Sequence, residues 1–444
     1  MMSPRQLRFD TAIKTNLDSR LLAVLTERIL TIIVVILSML GSGWAGEKTI
    51  VNFKGSNGNG PVAPLIFDAA GNLYGTTSSG GPNGNGIVFK LTPAAHGQWK
   101  QSLLYSFPIA HDPKGPSGPF SGVILDAAGN LYGTTYYGGS SVGTYYCQLG
   151  CGTVYKLTPT VSGPWKEDTL YSFSGGRDGG NPNAGVVFDA QGNLYGSTTL
   201  GGALSVGCGG CGTIFELTPT LKGPWKEKVL HAFTGENVDS DGAYPYATLT
   251  FDAASNVYGT TGNGGVFNSG TVFELSPNTS GGWAYSVIHS FPVPVMNGID
   301  GSYPDAPVIT DASGNLYGTT AGGGSLMVGA VFELSPGSGG WTSTLLYSFQ
   351  GLADGSDPAA PLIFDTAGNL CGTVTQNTSN GLGGVFELSP SGSGTWTESE
   401  LLSFEGTDGA TPYAGLVLDS LGNLYGTTEF GGSASDGVVF EVVR

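Results

Sequence analysis

The decapeptide DAAGNLYGTT occupies residues 68–77 and returns unchanged at 126–135. Looser copies begin at Asp189, Asp252, Asp311, Asp365 and Asp419, so seven units follow one another at spacings of 54 to 63 residues. Self-similarity at that period restricts the chain to architectures in which one supersecondary unit stacks on its own copies. Each unit carries four short apolar phrases, such as PLIFDAAG, NLYGTT, GTVFELSP and LLYSF, and each phrase is bounded by Gly, Pro, Asn or Asp. That is the signal of short strands joined by tight turns. The 75 glycines of the 444 residues fit a chain with many reversals. Within the decapeptide, Asp at the first position and Gly at the fourth suit a type I turn closed by a left-handed residue, with the carboxylate capping the turn.

Four strands per unit predict an all-β, seven-bladed β-propeller of four-stranded antiparallel blades. The chain ends predict how it closes. The first phrase, TIVNF at 49–53, matches a fourth strand, and the last, VVFEVV at 438–443, matches a third. Residues 47–53 are therefore expected to act as a latch strand that completes the last blade, 414–444, within a single propeller spanning 47–444. Closure removes the two open edges that a linear array would have to cap. The seven Trp share one repeat position: Trp99, Trp165, Trp225, Trp283, Trp341 and Trp396 lie eight residues before the Phe of a fourth strand, and Trp44 nine before Phe53.

Residues 1–45 read differently. Arg5, Arg8, Lys14, Arg20 and Arg28 precede the apolar run ILTIIVVILSML at 29–40, and small residues follow to Ala45. The pattern predicts an export signal, either cleaved or kept as a signal anchor. The run is shorter than the ~20 apolar residues of a membrane span. This segment holds five basic and three acidic residues, so its removal leaves 12 basic against 31 acidic, a net charge of −19. Such a surface is a poor partner for nucleic acid and suits a soluble exported monomer, in contact with a membrane only through an uncleaved N-terminus.

The phrases DAAGNLYGTT, the Gly-Gly that follows, and GTVFELSP resemble the GloVer tandem repeat of exported, choice-of-anchor bacterial proteins. The resemblance runs from Thr49 to the C-terminus and implies an extracellular, cell-surface or periplasmic location. It implies no defined activity. The chain ends directly after its last strand, and no C-terminal anchor is expected.

Residues with chemistry are few. A recurring D-G-x-x-P places Asp178, Asp241, Asp300, Asp354 and Asp408 in the loops that enter the blades. They are candidates for a ligand face, although an Asp-Gly turn whose carboxylate bonds its own backbone explains the recurrence better. Cys147 with Cys151, and Cys208 with Cys211, lie in matching loops of units two and three, and an exported chain makes a disulfide within each loop the expectation over a shared zinc site. Unit six departs most from the repeat: NLCGTV replaces NLYGTT, with Cys371 for Tyr, and Asn377 stands in place of Gly, which makes Asn377 a further ligand-face candidate. The loops at 108–119 and 292–304 are long and Pro-rich. No catalytic, metal or cofactor residue stands out. The residues favour a non-catalytic binding module for an unidentified ligand, a glycan or another surface protein. The alternatives are a secreted propeller hydrolase or lyase of polysaccharides, and a purely structural surface protein.

Overall fold

The computed structural model describes residues 46–108, 115–141, 147–161, 163–203, 210–221, 223–235, 241–294, 300–351, 354–392 and 394–444. Residues 1–45, where the export signal is expected, and with them Trp44, lie outside the described residues. Seven four-stranded sheets form the propeller ring. In the first blade, the two-residue inner strand Ile66–Phe67 is followed by Leu73–Thr77, Ile87–Pro93 and the outer strand Trp99–Ser106. The last blade uses Val417–Leu418, Leu424–Thr428 and Val438–Val443, and its fourth strand is Gly46–Asn52 from the other end of the chain. The ring is thus closed by the latch that the repeat phase predicts.

The decapeptide is the turn between the first two strands of each blade. The Asp68 carboxylate accepts the amides of Ala70 and Asn72 at 2.9 Å each, the Asn72 side-chain amide at 2.7 Å and the Tyr74 hydroxyl at 3.0 Å. Burial opposes ionisation here, but these donors outweigh it and hold the Asp68 pKa below the usual range. The same bonds recur at Asp126 and Asp419.

The core lies between blades. The Phe that ends each fourth strand meets an aromatic ring on the third strand of the next blade, from Phe107–Tyr155 at 5.3 Å around to Phe404–Phe440 at 5.0 Å. Phe53 of the latch completes the set against Phe89 at 5.4 Å. These rings fit because Gly stands opposite them on the second strand: a Cβ at Gly75 would lie 2.6 Å from Phe89. The first Thr of each GTT crosses the same interfaces, Thr76 donating to the Ser121 carbonyl at 2.8 Å and Thr427 to that of Ala63 at 3.2 Å. Trp99 packs edge-on to Tyr425 and Trp283 to Tyr195, with centroids 5.9 and 5.8 Å apart. These Trp therefore serve inter-blade packing.

Candidate functional site

Each loop entering a blade passes through a proline, and the residues around that proline ring the mouth of the central channel. The residue before it is left-handed in all seven units: Gly60, Gly118, Asn181, Tyr244, Tyr303, Asp357 and Thr411, with φ between 55° and 66°. Two hydrogen bonds fix the kink. The amide donates into the preceding blade, as from Asn181 to Cys151 at 2.6 Å and from Gly60 to Asp436 at 3.0 Å across the seam. The carbonyl accepts the amide of the residue after the second strand, as from Ser78 to Gly60 at 2.9 Å and from Glu429 to Thr411 at 3.1 Å. Glycine meets this geometry in the first two units without strain, whereas a side chain costs ~1–2 kcal/mol there. Tyr244, Tyr303 and Thr411 occupy it nonetheless.

The residue after the proline differs from blade to blade: Val62, Phe120, Asn183, Tyr246, Asp305, Ala359 and Tyr413. Together with Glu429, and with inner-strand residues such as Ile66 and Ile124, these line a cavity of about 610 Å³ at the channel. One arc is aromatic. Phe120 and Tyr246 line it, with Tyr136 packed 5.6 Å from Phe120 and Tyr244 6.5 Å from Tyr246 and nearly parallel to it. The other arc is acidic. Burial, reinforced by the charge of Asp357 from the next blade, pushes the Asp305 carboxyl up to about 6. Burial raises Glu429 as well. Tyr413 is raised by burial and then by Asp357 and Glu429, which places all three groups in one electrostatic neighbourhood. Thr375 donates to Asp357 at 2.8 Å. Among the described residues, no Lys, Arg or His lines the cavity.

Gly262 makes this packing possible: a Cβ there would lie 2.6 Å from Asp305 Oδ1 and 3.0 Å from the Tyr246 ring. Gly262→Ala is therefore expected to push the Asp305 carboxyl toward water and return its titration toward the ordinary range. A carboxyl NMR titration checks this, and a midpoint still near 6 would count against the contact.

The D-G-x-x-P carboxylates are placed elsewhere, each within its own loop. Asp178 accepts the Ser174 amide at 2.8 Å and the Tyr171 hydroxyl at 3.1 Å. Asp241 bonds His231 Nε2 at 2.9 Å and the Thr234 amide, and Asp300 bonds His289 Nε2 at 3.0 Å and the Gly301 amide. Asp354 accepts from Tyr347 and Gln350, and Asp408 from the Glu405 amide at 2.8 Å. Asn377 is exposed and left-handed, and its amide donates to Ser356 at 2.8 Å. Cys147 and Cys151 form a disulfide with Cα atoms 4.8 Å apart. Cys211 is buried and disulfide-bonded, while Cys208 lies outside the described residues. Of the long Pro-rich loops, 109–114 and 295–299 also lie outside them.

Among the described residues, one group has the donors to hold a metal ion: Asp365, Cys371 and Glu387, whose ligand atoms lie within 4.8 Å of one another. In the last blade a tyrosine fills the equivalent place, Tyr425 donating to Glu441 at 2.8 Å and to Asp419 at 3.2 Å. Cys371 is buried and outside any disulfide.

The family model described as the Gloeobacter/Verrucomicrobia repeat matches residues 142–305 and 281–443, together more than half of the chain. No curated protein matches in sequence. Among solved structures, a putative 6-phosphogluconolactonase from Bacteroides uniformis aligns with TM-score 0.50 at 13% identity, over 84% of this chain and 96% of its own. An ulvan lyase of polysaccharide lyase family 25 aligns with TM-score 0.49 at 13% identity, over 88% and 95%. A putative oxidoreductase (glucose dehydrogenase) from Thermus thermophilus aligns with TM-score 0.40 at 13% identity, over 90% and 100%. At such identities the likeness speaks to the fold alone.

Proposed function

The chain belongs to the Gloeobacter/Verrucomicrobia repeat family, and on that footing we propose that it is an exported propeller that binds a glycan at the channel mouth. One observation carries the reading. The scaffold around the mouth repeats in seven copies, yet the residues after the proline, which line the cavity, differ from blade to blade. Aromatic faces beside acceptor groups in a concave site are what pyranose rings with hydroxyl edges require. The Cys147–Cys151 disulfide and the repeat family support export.

The test is a glycan array probed with the 47–444 chain, followed by titration of any hit with Tyr246→Ala and Tyr413→Ala. Each of these half-exposed tyrosines should weaken binding about tenfold on removal, as the loss of a stacking face does. An array without a hit, or hits that neither variant weakens, would overturn the reading.

A second reading, cleavage of the bound glycan, is favoured by Asp305, whose carboxyl is pushed up to about 6 by burial and the charge of Asp357. A carboxyl poised near neutrality suits general acid–base work. If the protein is an enzyme, Asp305→Asn should bind the glycan and release no new ends, which a reducing-end assay would report.

A further inference from the structure

We infer that the glycan taken at the mouth carries free ammonium groups: it is a de-N-acetylated hexosamine oligosaccharide rather than a neutral or anionic one. This rests on the glycan reading above and adds the ligand's charge. The cavity supplies the ligand's place, about 610 Å³ of concave channel mouth, and its lining supplies the sign. Asp305 and Glu429 face the cavity with no basic side chain among the described lining residues, and Asp357 is close enough to raise Asp305.

Three features separate these acids from ordinary surface charge. They occupy three different repeat positions in three successive blades: after the proline, before it, and after the second strand. No single recurring turn therefore generates all three, in contrast to the D-G Asp residues that bond their own loops. Asp305 and Glu429 line one concave surface, with Asp357 close enough to act on Asp305, and field lines converge there, so the energy of a cation exceeds that at an open surface. The same cavity is lined by Phe120 and Tyr246, whose rings can hold the C–H face of a sugar while its amine turns toward the carboxylates. A uronate or sulfate ester in the same pose meets only repulsion, and the chain's net charge of −17 adds to it at long range.

The experiment is calorimetric titration of the 47–444 chain with glucosamine tetramer and, separately, N-acetylglucosamine tetramer, at a pH just above 6 and at two salt concentrations. Wild type should bind the glucosamine tetramer at least about tenfold tighter, and the difference should shrink at high salt. The double substitution Asp305→Asn/Asp357→Asn should bring the two ligands within about threefold. Glu429→Gln alone should reduce the preference in part, and it serves if the double variant melts early. Equal or reversed preference, or a preference unchanged in the variants, overturns the ammonium inference and leaves the glycan reading standing. Binding by some other glycan, with neither tetramer bound, does the same. Silence from every glycan overturns both.

Discussion

A chain lacking residues 46–53 is expected to lose its single cooperative melt, with the main transition lowered by on the order of 10 °C or more. Deletion strips the outer strand from the last blade and leaves Val438–Val443 as an open edge. It also removes Phe53, fully buried against Phe89. Truncating such a ring alone costs ~3–5 kcal/mol. The Phe53 amide bond to Gly437 at 3.0 Å, the Asn52 bond to the Ser433 amide at 2.8 Å and the Lys48–Glu441 ion pair at 3.5 Å go with it. An exposed edge also invites pairing with a second chain. Calorimetry with light scattering checks both effects. Adding the 46–53 peptide should restore part of the loss, whereas Phe53→Ala should lower the melt without association. A truncated chain that melts within a degree or two of the intact one would refute the seam's role.

Stability should rise as pH is lowered from 8 to about 5, then fall below about 4, a profile set by two groups of carboxyls with opposite signs. On three fourth strands a Glu six residues before the Phe faces a D-G Asp: Glu47 faces Asp408, Glu227 faces Asp178 and Glu398 faces Asp354. Burial first, and the neighbouring Asp second, push each up to about 7. Glu405 adds to the effect on Glu47 and Glu400 to that on Glu398. Glu227 Oε1 and Glu398 Oε1 are buried without a hydrogen-bond partner, which disfavours the ionised form further.

The folded pKa of these three lies above the unfolded value, so the folded state holds their protons more tightly. Their contribution is complete below about 4.3 and is lost as pH rises through 7. Solvent reaches these half-buried sites, so the combined loss is about 2–4 kcal/mol. The turn carboxylates act in the other direction. Asp68, Asp126, Asp311 and Asp419 are held below the usual range, so their contribution is present above about 3.9 and lost as pH falls beneath it. Glu47→Gln/Glu227→Gln/Glu398→Gln should flatten the alkaline limb and leave the acid limb in place. Denaturant midpoints from pH 3 to 8 decide it, and a wild-type profile flat from 5 to 8 would sink the assignment.

The ring was legible because its determinants recur in register. Phe53 and the strand at 438–443 announce the seam by being out of phase with the other units, and the Trp positions fix the alignment. The mouth was harder to see for the same reason. Recurrence draws attention to Asp178, Asp241, Asp300, Asp354 and Asp408, and the structure commits these to their own loops. Tyr246, Asp305 and Tyr413 carry no recurrent signature of their own. They share only an address, the residue after the proline of D-G-x-x-P, and comparing side chains at that address would have found them. The convergence of Asp305 with Asp357 stayed hidden because it joins neighbouring blades, a distance that spacing along one unit does not encode. The Glu facing Asp178, Asp354 and Asp408 was hidden likewise.

The Phe contacts give the ring a property beyond stability. Each fourth strand carries the ring that fills the following blade, and the latch carries the one that fills the first. Every interface is therefore an equivalent plug in an equivalent socket, offset by one strand from the sheet boundaries. A genetic duplication or deletion of one whole unit, cut anywhere in the repeat, preserves a matching pair at each junction, and the mouth residues travel with the unit as cassettes. Such a chain can change the side chains at its mouth by reshuffling units while keeping the Phe contact at each junction.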